Sequence, residues 1–264
     1  MRHLLLLFLF LNQICYSQLV INEYSAANYS YLSDSYGQNE DWFEIYNNTL
    51  VNVDLNGYYL SDKADNLTKF QISSSVIINA NNHLIVYASG NDEVNLNDIH
   101  TNFKLHQTKG NEWIILTSPD GLSIVDSIFV LPCLTDHSRG RLNDADDQWG
   151  VFVTPSPNAS NINASLNYSE TPIFSYSPGN YSETINLELL SDDTDINIYY
   201  TTDGSVPTST SSLYNTPISL STTTVVKAIS ISNNLAFTES FMEYVHSLLM
   251  TLILFLLCLS QEIK

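Results

Sequence analysis

Basic residues are scarce in this chain, which has 9 lysine and arginine residues against 28 acidic ones and a formal net charge of −19 over 264 residues. Proteins that bind a phosphate backbone gain affinity by bringing cationic side chains to it, so this balance argues against nucleic acid as a partner. Cysteine is scarce as well, with 3 residues. A small scaffold held together by several disulfides is therefore not expected.

The chain nevertheless has enough apolar material to fold. Only 14% of its residues are charged, 44% are hydrophobic, and the aromatic residues include 16 tyrosines. Disorder requires high charge together with low hydrophobicity, so an unfolded acidic tail is excluded. The length allows one or two domains.

The N-terminus has the layout of a secretory signal peptide: Arg2, an apolar run over residues 4–11, and the small residues Cys15 and Ser17. The run is too short to span a bilayer, which takes about 20 residues. We predict a signal helix over residues 1–17 with cleavage after Ser17, which predicts a secreted or cell-envelope protein of a bacterium. A lipoprotein anchored at Cys15 is the weaker alternative, because Ile14 before it is not small.

Between the two ends the sequence predicts an all-β chain. Short apolar or alternating runs are separated by clusters of Asn, Ser, Asp and Gly, and no helical period is sustained. Strands are predicted in the first half over residues 19–24, 42–46, 58–60, 75–78, 83–88, 112–117 and 123–129. In the second half they are predicted over residues 184–189, 196–200, 217–220 and 225–231, with a tight turn at Asp203-Gly204.

A proline-containing segment over residues 154–161 predicts a domain boundary. Pro155 and Pro157 lack backbone donors and bias their neighbours toward extended conformations. We expect one β-sandwich domain over residues 18–161, a polar linker over residues 162–169, and a second β-sandwich over residues 170–242.

Ordered motifs in the first half resemble those of a lamin-tail domain. They are Val-Ile-Asn-Glu at 20–23, Asp-Trp-Phe-Glu-Ile-Tyr-Asn-Asn at 41–48, Val-Asp-Leu-Asn-Gly-Tyr-Tyr-Leu-Ser-Asp at 53–62, and the segments 81–90, 100–105, 115–121, Trp149 and 154–157. The resemblance implies an immunoglobulin-like β-sandwich. It implies no catalytic residues, since the family consists of structural and binding modules.

Motifs in the second half are similar to the C-terminal accessory domain of chitobiases and β-hexosaminidases. They are the segment Ile-Tyr-Tyr-Thr-Thr-Asp-Gly-Ser-Val-Pro-Thr at 198–208, with 172–175, 179–181, Tyr214, 217–218 and 226–228. This resemblance implies a smaller sandwich of the immunoglobulin or fibronectin III kind, without an active site. The order of the two modules resembles the N-terminal half of secreted bacterial proteins of the CotH kinase family, in which a kinase-like domain follows.

The C-terminal tail, residues 243–264, contains an apolar run over residues 247–259. The run is short for a membrane anchor, and only Lys264 follows it as a positive flank. Read two nucleotides along, these codons are compatible with Phe-Phe-Ile-Asn-Asp and later with Ser-Gly-Asp, which resembles the entry into a CotH region. We therefore hypothesise a frameshift near Tyr244, and a genuine apolar segment is the alternative.

Candidate metal ligands are few. The histidines lack the close pairings of a zinc site, and Cys133 stands alone. Asp144, Asp146 and Asp147 form a weak candidate for Ca²⁺ binding, but they lack the spacing and the central glycine of an EF-hand loop. A solvated turn is the favoured interpretation, and we predict no metal and no cofactor.

Tyr199 and Tyr200 are the candidate ligand-contact aromatics, and with Trp42, Trp113 and Trp149 they could form a platform on which a sugar stacks. Burial in the two cores is the alternative that we favour. We find no Gly-rich phosphate loop, paired carboxylates or catalytic serine motif, and we predict no catalytic residue.

These observations predict a non-catalytic, secreted or cell-surface binding or structural module, the truncated front part of a CotH-kinase-like surface protein. The alternative is a carbohydrate-binding accessory module of an extracellular glycan-degrading system. The expected partner is a protein or a glycan at the cell surface, and no membrane span is expected apart from the signal peptide.

Overall fold

A computed structural model describes residues 19–95, 98–192, 195–232 and 238–244. The predicted signal peptide and the apolar run over residues 247–259 lie outside these ranges. Within them the regular structure consists of β-strands, which confirms the all-β prediction. No helix in the described part of the chain is long and apolar enough to cross a membrane. The chain divides into two compact units, one extending to Trp149 and including Thr154–Ile162, the other comprising Gly150–Val153 and the residues from Asn163 onward.

The strands of the two units follow one another along the chain. The first are β1 (Leu19–Ser25), β2 (Trp42–Asn47), β3 (Val53–Asp54), β4 (Tyr59–Ser61), β5 (Phe70–Gln71), β6 (Ile77–Ile78), β7 (His83–Tyr87), β8 (Glu93–Val94), β9 (Ile99–His100), β10 (Trp113–Thr117), β11 (Ile124–Phe129), β12 (Ser138–Arg141) and β13 (Trp149–Phe152). Then come β14 (Ile173–Phe174), β15 (Ile185–Leu187), β16 (Leu189–Leu190), β17 (Asn197–Thr201), β18 (Ser212–Leu213), β19 (Ile218–Leu220), β20 (Thr224–Ile231) and β21 (Thr238–Tyr244).

The first unit is built on two main sheets. A seven-stranded sheet has the order β13-β12-β1-β2-β7-β9-β8, and a four-stranded sheet has the order β11-β10-β4-β5. The strands β1, β2 and β7 pair antiparallel, whereas β7 and β9 pair parallel. Apolar side chains from both sheets form one core, as in a β-sandwich.

A β-bulge in β1 determines which side chains enter this core. The register with β2 shifts between Ile21 and Glu23, so that Asn22 is the extra residue. Leu19 and Ile21 face the core before the bulge, and Tyr24 faces it afterwards. The bulge thus moves the alternation by one residue and places Glu23 directly opposite Glu44 on the other face of the sheet.

That other face of the seven-stranded sheet is covered by loop segments. All residues of β1 and β2 are buried. Leu32, from the loop between these strands, packs against Trp42, Ile85 and Tyr87. Residues 154–161, which we call the strap, cover the neighbouring part of this face through hydrogen bonds described below.

An inward-pointing carboxylate marks the edge strand β11 of the four-stranded sheet. Asp126 Oδ2 accepts a hydrogen bond of 2.7 Å from the amide of Ile21 and one of 2.8 Å from Nη2 of Arg141. The carboxylate therefore joins the edge of one sheet to β1 of the other. Charges directed inward at an edge also discourage pairing with another chain.

The second unit has its own smaller core. A four-stranded sheet has the order β18-β17-β20-β21, and β14-β16 and β15-β19 form two-stranded sheets. The core contains Ile185, Leu187 and Leu189, which alternate along the chain as the sequence predicts. The predicted single strand over residues 184–189 is nevertheless wrong in one respect: it divides at Glu188, with β15 pairing with β19 and β16 with β14.

Candidate functional site

Ionisable side chains form a cluster on the strap-covered face of the seven-stranded sheet. We call Glu23, Glu44, His83 and Asp144 the carboxylate cluster. Glu23 and Glu44 are fully buried, the exposed fraction of the His83 side chain is 6%, and that of Asp144 is 15%. His83 begins β7 opposite Tyr46, whose ring stacks on the imidazole with centroids 4.6 Å apart. The bulge and the strand register therefore bring together groups that are distant in sequence.

The carboxylates of the cluster hold the strap through its backbone. The amide of Ser156 donates to Glu23 Oε1 at 3.0 Å, and the amide of Asn158 donates to Glu44 Oε2 at 2.6 Å. The amide of Asn161 donates to Asp144 Oδ1 at 2.9 Å. The contact with Asp144 is charge-assisted, and hydrogen bonds of that kind are stronger than neutral ones. Together the three contacts fix the strap on the sheet.

Side-chain amides and hydroxyls complete the network. Nδ2 of Asn22 donates to Glu44 Oε1 at 3.2 Å and to Asp144 Oδ1 at 3.0 Å, while its Oδ1 accepts from the amide of Ala145. The hydroxyl of Ser138 donates to Glu23 Oε1. The bulged residue Asn22 thus fills the space between two carboxylates with donors, which reduces their mutual repulsion.

Burial sets the protonation of the cluster. Desolvation raises the pKa of Glu44 to about 8, against the opposing effect of His83 and of the Asn158 amide. Desolvation likewise raises the pKa of Glu23, against hydrogen bonds from Ser138 and Ser156. The cluster therefore favours a protonated Glu44 at neutral pH.

An ion pair forms the outer part of the cluster. Nε2 of His83 lies 3.3 Å from Asp144 Oδ1 and 4.0 Å from Glu44 Oε1. Burial opposes the charged imidazole, but the two carboxyl groups outweigh it and raise the pKa of His83. Burial also opposes the charged form of Asp144, but the nearby His83 imidazole and the hydrogen bonds from Asn161 and Asn22 lower the pKa of Asp144 below its usual range.

The chemistry of this arrangement is structural. The oxygens of Glu23 and Glu44 accept hydrogen bonds from the protein's own backbone, amides and hydroxyls. A general acid or base must instead reach a substrate atom directly or through one water. The pairing of Glu23 with Glu44 was not predicted from the sequence, because the bulge that places them opposite each other has no sequence signal. The available signal was polar residues within two apolar strands.

The structure gives the three Ca²⁺ candidates different surroundings. Asp144 faces the carboxylate cluster, whereas Asp146 accepts from the amide of Gln148 and from Asn143. Asp147 is exposed. In the described ranges, no group of three or more His, Cys, Asp or Glu residues is arranged to hold a metal ion.

The candidate aromatics are separated by the strand geometry. Tyr200 packs against the core of the second unit and contacts Tyr214 edge-on, with centroids 6.4 Å apart. Tyr199 is half-buried and, as the preceding residue of β17, lies on the opposite face. The two side chains therefore do not share one platform, and ligand contact by either stays a prediction.

The tryptophans of the first unit have different surroundings. Trp42 is fully buried beside Ile85 and Tyr87. Trp149 contacts Tyr24 and the guanidinium of Arg141. The half-buried Trp113 lines an open groove of about 280 Å³, together with Lys63, Ala64, Asp65 and Asn111. Trp113 thus lines a surface groove, whereas Trp42 is buried in the packed face.

Comparison with known families identifies both units. The family model described as Lamin Tail Domain matches residues 14–130, and that described as Chitobiase/beta-hexosaminidase C-terminal domain matches residues 176–241. The chain therefore carries these two domains in this order, which confirms both resemblances. Glu23, Glu44 and His83 lie within the first match, and the strap follows it. A search of curated proteins finds no match to the chain.

Proposed function

We propose that the protein is a non-catalytic, secreted or cell-surface module that binds a partner or spaces other domains. The carboxylate cluster is the observation that carries this proposal. It contains the acid and base groups that a catalytic site would need, yet their oxygens hold the strap. The two domain matches support the same conclusion, because both domains are non-catalytic modules.

Two measurements test this function. The fluorescently labelled 264-residue chain should bind saturably to isolated cell-envelope material and remain outside the cytoplasm in fractionation of the expressing cells. Incubation with radiolabelled ATP and candidate acceptor proteins should give no phosphate transfer. Transfer that survives in the Glu44→Gln variant and persists through purification would refute the proposal.

A carbohydrate-binding accessory role is the second candidate. The specific observation in its favour is the groove at Trp113, where an aromatic side chain and polar groups meet at the surface. A glycan array probed with the whole chain distinguishes the candidates. Binding to a defined set of sugars supports the accessory role, and silence on the array together with capture of a surface protein supports protein contact.

We also propose that the gene encodes a kinase-like domain of the CotH family in another frame. The order of the two matched domains supports this relation, as does the reading of the tail two nucleotides along. Sequencing the DNA downstream of codon 244 tests it. A downstream frame without CotH-like sequence removes the hypothesis and leaves the binding function unaffected.

A further inference from the structure

The groove at Trp113 lies at one end of the four-stranded sheet. Lys63, Ala64 and Asp65 follow strand β4 and form one wall, and Asn111 precedes β10 on the other side. Its volume of about 280 Å³ is at the lower limit of small-molecule sites, which are typically about 300 to 1,000 Å³. The groove therefore suits one or two sugar rings rather than a large cofactor.

Trp113 provides a fixed aromatic surface in this groove. Ile114 and Leu116 face the core, so the alternation of β10 directs Trp113 to the outside of the sheet. Phe129 packs edge-on against the indole, with centroids 5.3 Å apart and an angle of 82°. The amide of Trp113 donates to the carbonyl of Asp62 at 3.1 Å. An aromatic ring held in this way loses little entropy when a ligand stacks on it.

The walls of the groove supply uncommitted polar groups. Lys63, Asp65 and Asn111 are exposed. Within the described ranges, neither the carboxylate of Asp65 nor the side-chain amide of Asn111 has a hydrogen-bond partner. The Asp65 carboxylate offers acceptors, and the Asn111 amide offers donors and an acceptor. Together they can bond to neighbouring hydroxyl groups of a ligand.

Charge limits what the groove accepts. Lys63 and Asp65 cancel in formal charge, so the groove does not select an ionic ligand by its own charge. The net charge of −19 for the chain disfavours polyanions. A neutral ligand with an apolar face and several hydroxyls satisfies both conditions.

We propose that this groove binds a neutral hexopyranose unit of an oligosaccharide. The apolar C–H face of the ring stacks on Trp113, and its hydroxyls bond to Asp65 and Asn111. This inference rests on the proposed binding function and names the ligand class and the site. A nucleobase or a peptide side chain in the same groove is an alternative that the experiment distinguishes.

The test is a titration of the whole chain with cellobiose, maltose, mannobiose and N,N′-diacetylchitobiose. Binding is measured by calorimetry and by tryptophan fluorescence. We expect at least one of these sugars to bind with a Kd in the micromolar to millimolar range and to change the emission. Trp113→Ala should weaken binding by about tenfold or more, and Trp113→Phe by less, because stacking is partly retained. Asp65→Asn should weaken it several-fold without touching a packed side chain.

Tyr29→Ala is the matched control, because Tyr29 is 78% exposed in a different loop. It should bind sugar as the parent chain does. The proposal is overturned if no sugar binds at about 10 mM, a concentration that detects very weak complexes, or if Trp113→Ala and Asp65→Asn both bind normally. Loss of binding on Tyr199→Ala instead would move the site to the second domain and leave the binding function intact. Nucleoside or peptide binding lost in Trp113→Ala, without sugar binding, would overturn the ligand class alone.

Discussion

Loss of the Glu44 proton should make the first unit less stable as the pH rises from 5 to 8. Its pKa is raised by burial from 4.5 to about 8, so the folded state binds this proton more tightly than the unfolded state does. The associated stability is fully present below about pH 4.5 and is lost as the pH rises toward 8. Each pKa unit corresponds to about 1.4 kcal/mol, which gives a loss of roughly 3 to 5 kcal/mol over the interval.

Other members of the cluster modify this profile in known directions. The raised pKa values of Glu23 and His83 add to the loss with rising pH. The lowered pKa of Asp144 has the opposite sign, but its stability is lost only as the pH falls below the usual range of a carboxyl group. Outside the cluster, burial raises the pKa of Asp41 to about 6, which adds to the loss, and lowers the pKa of His137, which opposes it. Because the Glu44 contribution spans the whole interval, the net expectation between pH 5 and 8 is a decrease in stability. Domains typically have only about 5 to 15 kcal/mol in total, so the change is measurable.

Urea unfolding followed by tryptophan fluorescence measures this effect. The 3 tryptophans are Trp42, Trp113 and Trp149, which all belong to the first unit, so the signal reports that unit. Glu44→Gln should flatten the profile and cost about 1 kcal/mol at pH 5, because its amide faces the donor of Asn22. The exposed Asp147→Asn removes one charge elsewhere and should keep the parent slope. A parent profile that is flat or rises from pH 5 to 8, or an unchanged slope in Glu44→Gln, would refute the reasoning.

Three further predictions test the fold. Asp126→Ala should lower the free energy of unfolding by about 3 kcal/mol in the same urea assay, because the mostly buried Arg141 loses its carboxylate partner. A loss as small as that of a solvent-exposed ion pair would contradict this. Gly121→Ala should cost more than Gly37→Ala, since both have positive φ but only the former places a new Cβ 3.1 Å from a threonine methyl group; equal thermal midpoints would contradict the steric part. Tyr200→Ala should lower the thermal midpoint by circular dichroism more than Tyr199→Ala, because only Tyr200 packs on the core; the reverse order would show that the faces are misassigned.

The sequence predicted the longer strands because their alternation is local. Strands β1, β2, β7, β10 and β11 agree with the predicted runs within one residue at each end. The two-residue strands β3, β5, β8, β9, β14 and β18 were not predicted, since such short pairs depend on their partners and carry no period. The longer strands β12, β13 and β21 were not predicted either. The division at Glu188 was missed for a related reason, because three alternating apolar residues remain buried in one core while the backbone changes partner.

The carboxylate cluster could not be predicted from the sequence. A bulge shifts register without any composition signal, and only the register shows that Glu23 faces Glu44. The sequence could not distinguish Asp144 from its neighbours Asp146 and Asp147 either. The Asp144 carboxylate is set apart by its contact with His83, which lies 61 positions earlier by residue number. By contrast, the two domain types were identified correctly, because their motifs lie in order along the chain.

Prolines and amide donors alternate in the strap, and this limits which changes the segment tolerates. Pro155 precedes Ser156, and Pro157 lies between Ser156 and Asn158, whose amides bond to the cluster. The prolines restrict the free strap to extended shapes, so less chain entropy is lost when it docks. The side chains of Ser156 and Asn161 add hydrogen bonds to the amide contacts, so the identity of these two residues matters. An inserted or deleted residue would move a proline onto a donor position, so the segment must preserve its spacing as well.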